Sequence, residues 1–203
     1  MRSSRKLLVA TTNVKKAGEM VQILAEAGLG IEIVTLADFP DAPEVEETGE
    51  TFMENAHLKA RAAADDTGLV AIADDGGLCI DALGGAPGVK SHRFLGETTS
   101  FPVKMTRILE MLQEVPEVER TCRFQCAVVI AAPEGATYEC LGTCEGRIGH
   151  EMRGTFGFGY DPIVLIPELG KHMAELLPAE KHRISHRGNA LACAVPHLRE
   201  LFG

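Results

Sequence analysis

The densest group of chemically capable side chains in this sequence is Asp74-Asp75-Gly76-Gly77, which directly follows the apolar run Leu69–Ala73. Two adjacent carboxylates at the end of a buried strand repel each other, and a divalent cation offsets that repulsion. Glycines beside them let a ligand approach the backbone closely. An ordinary Asp-Gly turn is the alternative, but the repulsion between neighbouring carboxylates favours a cation or ligand site.

A second acidic group lies upstream, in the segment Glu44-Val45-Glu46-Glu47-Thr48-Gly49. Carboxylate oxygens suit Mg²⁺, a hard cation that keeps several of its waters when a protein binds it. A solvated acidic loop is the more common meaning of such a run. Lys59, two turns into the following helix, taken alone is a solvated lysine.

A polar turn, Thr11-Thr12-Asn13, connects an apolar strand to a helix that carries Lys15 and Lys16 in its first turn. Backbone N–H groups at a helix start, with short polar side chains and a lysine, suit a phosphate. The glycines of a Walker A loop are absent. A plain N-cap followed by solvated lysines explains the same residues, and for this motif alone it is the better explanation.

The fourth group combines the glycine-rich stretch Gly157–Pro162 with Lys181 and with Ser185-His186-Arg187-Gly188. Phe158 stands between two glycines, which would leave its ring exposed and able to stack on a base. His186 and Arg187 fall in the first turn of a helix, where the helix dipole disfavours cations, so an anionic or electron-rich ligand is indicated. A turn followed by a capped helix is the alternative.

These groups need elements that place them at strand ends and helix starts, where α/β proteins bind ligands. Thr51-Phe52-Met53-Glu54 matches a capping box and starts a helix that runs to about Asp66. Continuous apolar runs and stretches of alternating hydrophobic residues predict strands over 6–10, 31–36, 69–73, 79–83, 121–132, 138–148 and 163–166. Helices are predicted after Asn13, over 101–114, and from Ser185 onward with a kink at Pro196. This mixture of βα units and a hairpin predicts one α/β domain over residues 1–203, with a mixed central sheet and flanking helices.

Composition and charge argue against several functional classes, namely nucleic-acid-binding, membrane-spanning and secreted proteins. The chain has 203 residues, 45% of them hydrophobic, and a formal net charge of −9. An acidic protein is not attracted to the nucleic-acid backbone, and the apolar runs are too short for a membrane span or a signal peptide. The six cysteines include no C-x-x-C pair and are expected to be buried hydrophobes. We therefore expect a cytoplasmic protein that binds neither nucleic acid nor membrane.

The order of the motifs along the chain is more specific than any one of them. The sequence contains, in order, T-x-N-x-x-K-x-x-E from Thr11, E-E-T-G from Glu46, F-x-E-N-A-x-x-K-A from Phe52, A-D-D-x-G-L from Ala73, L-G-G-A-P-G from Leu83, F-G-Y-D-P from Phe158 and S-H-R-G from Ser185. This series closely resembles the inosine triphosphate pyrophosphatase family, over nearly the whole chain from about Lys6 to Phe202.

The resemblance implies an enzyme that hydrolyses inosine, deoxyinosine and xanthosine triphosphates to the monophosphate and pyrophosphate. It also implies an elongated two-lobed fold with the active-site cleft between the lobes, a Mg²⁺ cofactor and a homodimer. Asp75 is implied as the catalytic proton acceptor that activates water, and Glu46 and Asp75 as the residues that serve Mg²⁺. The implied substrate-binding residues are Thr11, Thr12, Asn13, Lys16, Lys59, Gly76, Phe158, Gly159, Tyr160, Asp161, Lys181, His186 and Arg187.

Two positions depart from the family pattern. Gly76 stands where the family commonly has Ser, so a hydroxyl contact to the nucleotide is lost while the backbone N–H remains. The first loop commonly reads T-G-N or T-N-N, and here it reads Thr11-Thr12-Asn13. We expect phosphate binding to survive the second change, and the first puts the role of position 76 in question.

Other functions remain open at this point. A related pyrophosphatase that acts on pyrimidine or modified nucleotides would use the same carboxylates and lysines, although Phe158 and the S-H-R-G segment argue against it. A nucleotide-binding protein without catalysis, or a structural protein, would explain individual motifs but leave the combination of Glu46, Asp74 and Asp75 with both lysines unexplained.

Overall fold

The computed structural model describes residues 5–43 and 45–203, so Glu44 of the acidic segment and the basic residues 1–4 lie outside the described part. Within it, seven strands form one mixed sheet in the order β2-β1-β3-β4-β5-β6-β7. The strands are β1 Lys6–Val9, β2 Glu32–Thr35, β3 Val70–Ile80, β4 Thr121–Ala131, β5 Thr137–Ile148, β6 Val164–Ile166 and β7 Lys171–His172. The α-helices are α1 Val14–Glu26, α2 Phe52–Thr67, α3 Phe101–Met111, α4 Pro178–Ile184 and α5 His186–Phe202. The predicted α/β class with a mixed sheet is confirmed.

The chain forms two compact units. The first unit contains the N-terminal segment up to Asp75 together with Cys126–Gly142 and Arg187–Gly203. The second unit contains Gly76–Gln125 and Thr143–His186. The assignment of all 203 residues to one domain stays a prediction.

The first unit has a hydrophobic core on each face of its strands. β1 is parallel to β2 and to β3, and its residues alternate between the two cores. Leu7 and Val9 join a cluster with residues of α1 and α5, whereas Leu8 joins a cluster with the alanines of α2. Because both faces are covered, the strand is a continuous apolar run rather than an alternating one.

The second unit has one core, which gathers apolar residues of all its main elements. Leu78, Ile108, Phe124 and Ile148 are among its buried members. β6 pairs in antiparallel fashion with β5 and with β7. No helix in the described part of the chain has both the length and the apolar character needed to cross a bilayer.

β3 corrects one prediction. The sequence predicted two strands, 69–73 and 79–83, separated by the Asp-Asp-Gly-Gly stretch, and this was wrong because β3 continues from Val70 to Ile80. A Cβ atom at Gly77 would lie 2.7 Å from the carbonyl oxygen of Gly88 and 2.8 Å from Cβ of Ser91. The glycine therefore marks a close approach of another segment to the strand rather than a chain reversal.

The C-terminal helix begins where the sequence predicted, to within one residue. α5 starts at His186, and it continues through Pro196 to Phe202. The preceding helix α4 was not predicted, although its first residue is Pro178 and the Glu180 carboxylate accepts a hydrogen bond of 2.9 Å from the Leu177 N–H. Proline in the first turn and a carboxylate that bonds a free N–H group are both helix-start signals.

Candidate active site

Asp74 is the most deeply buried carboxylate of the first unit, with no solvent exposure. Its Oδ2 accepts two hydrogen bonds from Arg187, of 3.0 Å from Nε and 2.8 Å from Nη2, and Lys16 Nζ lies 3.6 Å away. Burial alone would raise the pKa of Asp74, but Lys16, Arg187 and Lys59 together hold that pKa far below its usual value. Asp74 is therefore a permanent negative charge in the centre of β3.

Arg187 holds two carboxylates from the first turn of α5. Besides Asp74, its guanidinium donates to Glu19 of α1 over 2.7 Å, and its side chain is only 3% exposed. Burial lowers the pKa of this arginine, yet the adjacent carboxylates raise it overall. The unfavourable placement of a cation in the first turn of a helix is thus explained by the buried Asp74 and the partly buried Glu19.

Asp75 has a different environment from its neighbour. Its Oδ2 accepts a 3.1 Å hydrogen bond from Asn55, while its Oδ1 lies 3.8 Å from Lys59 Nζ and 4.0 Å from Lys16 Nζ. Burial raises the pKa of Asp75, the two lysines lower it, and Glu47 raises it again, with a net increase. A carboxylate with a raised pKa is a stronger proton acceptor than an ordinary aspartate.

Lys59 connects the acidic loop to this carboxylate pair. Its Nζ donates to Glu47 over 2.6 Å, and both groups come close to Asp75. Burial lowers the pKa of Lys59, but Asp75, Asp74 and Glu47 outweigh that effect and the pKa is raised. Glu46, the residue singled out from the sequence, is exposed, whereas the neighbouring Glu47 faces Lys59.

The first loop forms the N-cap that the sequence offered as one of its two explanations, and phosphate binding stays a prediction. Asn13 is the N-cap of α1, and its side chain accepts hydrogen bonds from the N–H groups of Lys15 at 3.1 Å and Lys16 at 3.2 Å. Thr11 accepts from the Asn13 N–H at 3.3 Å, and Thr12 is exposed. The cap places Lys16 so that its Nζ lies 3.6 Å from Asp74 Oδ2 and 4.0 Å from Asp75 Oδ1.

A divalent cation fits the donors present here. Oδ1 of Asp74 is buried with no hydrogen-bond partner among the described residues, and the Asp75 and Glu47 carboxylates add further oxygen donors. The described residues contain no group of three or more His, Cys, Asp or Glu side chains placed to hold a metal. Mg²⁺ does not need such a group, because it commonly takes one or two carboxylates and completes its shell with water and substrate phosphates.

The second unit holds a group of its own around Asp161. Its Oδ2 accepts from Lys181 Nζ at 2.7 Å and from the Phe158 N–H at 2.9 Å, and Lys181 Nζ lies 4.8 Å from the centre of the Phe158 ring. Asp161 and Lys181 are both buried. Gly157 and Gly159 have positive φ values of 73° and 66°, which permit the tight turn around this carboxylate. Phe158 is half-buried rather than fully exposed.

The remaining predicted site residues of the second unit lie in the core or beside it. Tyr160 is buried, its hydroxyl donates to the Ser91 carbonyl over 2.8 Å, and its ring meets Phe101 edge to face. His186 stacks on Phe124 with ring centres 4.8 Å apart. Gly76 lies within β3 and is partly exposed.

Sequence reasoning missed three residues of the first unit's cluster: Glu19, Glu47 and Asn55. Glu19 is the last residue of the first motif, and Asn55 directly follows the capping-box glutamate, so the motifs themselves contained both residues and could have identified them. Glu47 could not be chosen over Glu46, because adjacent carboxylates in a loop carry no signal for which one points inward.

The chain is similar to proteins of one family over nearly its whole length. A model of the Ham1 family matches residues 7–197. A dITP/XTP pyrophosphatase of Exiguobacterium sibiricum is 50% identical, covering 92% of this chain and 93% of the relative. One from Geobacillus kaustophilus is 46% identical, covering 98% and 97%. The structure of a HAM1 protein from Coxiella burnetii superposes with a TM-score of 0.86 at 41% identity, covering 96% and 98% of the two chains. That of the Staphylococcus aureus Ham1 protein gives 0.84 at 36% identity, covering 97% and 99%.

Proposed function

Because this chain belongs to the Ham1 family, we propose that it hydrolyses deoxyinosine, inosine and xanthosine triphosphates to the nucleoside monophosphate and pyrophosphate. The observation that carries the proposal is the group formed by the buried Asp74 and Asp75 with the partly buried Lys16 and Lys59. It combines one fixed anion, one carboxylate with a raised pKa and two cations within 4.0 Å of a carboxylate. A triphosphate and its attacking water require these charges.

The chain's own groups have distinct roles in this reaction. Asp75 accepts the proton of the attacking water, which its raised pKa favours. Lys16 and Lys59 bind the phosphates and stabilise the charge on the leaving pyrophosphate, as expected for phosphoryl-type transfer. Thr11, Thr12 and Asn13 contact the phosphates from the loop before α1.

A divalent cation, proposed to be Mg²⁺, would be held by Asp75 with a glutamate of the acidic loop, either Glu46 or Glu47. When bound it would neutralise phosphate charge and lower the pKa of water. The partnerless oxygen of Asp74 supports a cation in this neighbourhood.

Phe158 stacks on the purine in this proposal, and Lys181 provides the donor for a 6-keto oxygen. Asp161 supports both, since it fixes the Phe158 backbone and the Lys181 ammonium group. Adenine carries a 6-amino donor at that position, which would face the lysine donor with no acceptor between them, and this disfavours adenosine triphosphate. The other proposed contacts to base and sugar are those of Gly76, Gly159, Tyr160, His186 and Arg187.

We further propose that the protein acts in the cytoplasm as a homodimer and clears these nucleotides from the pool. The test of the activity is product analysis with inosine, xanthosine, adenosine, guanosine and cytidine triphosphates, with and without Mg²⁺. Monophosphate plus pyrophosphate from the first two, only with metal, is the expected result. Diphosphate as product, or equal turnover of all five, contradicts it.

An Asp75→Asn variant is the matched control for catalysis. The variant should bind the nucleotide without hydrolysing it. If wild type and variant bind and are equally inert, a nucleotide-binding protein without catalysis replaces the enzyme. A preference for cytidine triphosphate would instead indicate a pyrophosphatase with a different base specificity.

A further inference from the structure

Asn55 is a fully buried polar residue that helix formation does not explain. It lies in the first turn of α2 and is 0% exposed. Its backbone N–H already bonds the Thr51 carbonyl at 3.2 Å, and the cap of the helix is completed by Thr51 and Glu54. The buried carboxamide must therefore be retained for its own contacts, since burying an amide without partners is costly.

The carboxamide bridges a loop backbone and a carboxylate. Its Oδ1 accepts from the Gly49 N–H at 2.8 Å, and its Nδ2 donates to Asp75 Oδ2 at 3.1 Å. The Gly49 N–H is only a donor, so the amide oxygen must face it and the amide nitrogen must face Asp75. The orientation of the side chain is thus fixed by chemistry at both ends.

Asn55 and the two lysines face different oxygens of Asp75. Oδ2 is held by Asn55, whereas Oδ1 is the atom that lies 3.8 Å from Lys59 Nζ and 4.0 Å from Lys16 Nζ. The two oxygens of a carboxylate are rigidly related, so a hydrogen bond to one sets the direction of the other.

The same side chain holds the end of the acidic loop. A Cβ atom at Gly49 would lie 2.7 Å from Oδ1 of Asn55 and 2.7 Å from Cβ of Glu54, so only glycine permits the bridge. The loop that carries Glu47, the partner of Lys59, is thereby tied to the carboxylate it faces.

We propose that Asn55 is a positioning residue for hydrolysis, which directs Oδ1 of Asp75 toward the reacting groups and fixes the acidic loop beside it. This inference rests on the proposed function. Partners that orient a reactive or metal-binding carboxylate commonly change activity by about 10- to 100-fold when they are removed.

Two substitutions distinguish the hydrogen bond that Asn55 accepts from Gly49 from the one that it donates to Asp75. Asn55→Asp has the same shape and still accepts from Gly49, but it cannot donate to Asp75 and adds a negative charge. Asn55→Ala removes both bonds. For dITP with Mg²⁺ we expect kcat to fall about 10- to 100-fold in both variants. In Asn55→Ala, which adds no charge, KM should stay within about threefold of wild type, and binding of dITP in EDTA, where no turnover occurs, should be unchanged.

Arg61→Ala is the matched control, because Arg61 is on the same helix and donates to the Ala132 carbonyl at 2.9 Å without contacting Asp75. It should lower the melting temperature and leave kcat per folded molecule unchanged. Hydrogen exchange at the Gly49 amide provides a readout independent of activity. Asn55→Asp should keep its protection and Asn55→Ala should lose it.

The inference fails if wild type hydrolyses dITP and both Asn55 variants keep wild-type kcat. It also fails if their loss only follows the unfolded fraction, as in Arg61→Ala. A wild type without turnover would instead refute the proposed function, and the positioning role with it.

Discussion

The ion pair between Arg187 and Asp74 leads to the sharpest prediction, which concerns the substitution Arg187→Met. The two side chains are 3% and 0% exposed, and Arg187 forms two hydrogen bonds to one carboxylate oxygen. Methionine fills a similar volume without the charge. The substitution therefore leaves a buried, ionised Asp74 with Lys16, at 3.6 Å, as its nearest remaining counter-charge.

Removing one partner of a buried ion pair costs about 3 to 5 kcal/mol, because the other charge is left uncompensated. Lys16 compensates part of the Asp74 charge, so we expect the lower end, about 3 kcal/mol in the free energy of unfolding. For a chain of this length each kcal/mol shifts Tm by about 2 to 4 °C, so Tm should fall by about 6 to 12 °C.

Urea unfolding followed by far-UV circular dichroism is the suitable assay, since the sequence has no tryptophan. The control is Arg107→Met, which removes an exposed i,i+3 pair with Glu110 and should leave the free energy of unfolding unchanged within error. The double variant Asp74→Asn with Arg187→Met should be more stable than Arg187→Met alone, because it no longer buries an unpaired charge.

Two results would refute this reasoning. One is a loss below about 1 kcal/mol in Arg187→Met, which would mean that Asp74 is hydrated or protonated without its partner. The other is strict additivity in the double variant, which would mean that the two charges are not coupled.

Further predictions concern the base, the proton acceptor and a helix cap. Phe158→Ala should raise KM for dITP by about 5- to 150-fold, from about 1 to 3 kcal/mol of base stacking, while Phe158→Tyr keeps it; an unchanged KM would contradict the stacking role. The pKa of Asp75 in the folded state is raised above its ordinary value of 3.8, which the unfolded chain retains. The wild type therefore loses stability as pH rises from the unfolded-state pKa to the folded-state pKa, and Asp75→Asn does not. In EDTA, the stability of Asp75→Asn relative to wild type should therefore increase from about pH 4 toward neutrality, and the opposite trend would show that the two lysines outweigh burial. Thr51→Ala removes the 3.1 Å bond to the Glu54 N–H and should cost about 1 kcal/mol in thermal unfolding, with Thr51→Ser as the control that retains it.

The sequence predicted most of the elements, because the chain is locally consistent with its fold. The capping box at Thr51 and Glu54 forms as expected, with each side chain bonding the other's backbone N–H. The apolar run in β1 predicted a strand covered on both faces, and two separate cores cover it. Failures occurred where distant packing decided the outcome. Gly77 has the signal of a turn, and only the approach of Ser91 shows that it belongs inside a strand.

The same limit applies to the candidate site. Lys16, Lys59, Asp74 and Asp75 were recognised as chemically capable, and the structure brings them together. The opposite pKa shifts of Asp74 and Asp75 could not be predicted from residue types, because two adjacent aspartates look alike in a sequence. Lys16 and Arg187 hold the pKa of Asp74 far below its usual value, while burial leaves Asp75 with a raised pKa.

The division into two units has a consequence for how such a gene can change. The chain passes between the units at 75/76, 125/126, 142/143 and 186/187, and these points fall inside β3, β4, β5 and α5. Neither unit is encoded by one uninterrupted stretch of DNA. No single breakpoint therefore separates the two units, and a cut at any of the four crossings interrupts a strand or a helix. Transfer of the whole second unit between related genes would need at least two breakpoints, and the transferred stretch would carry residues 126–142 of the first unit with it.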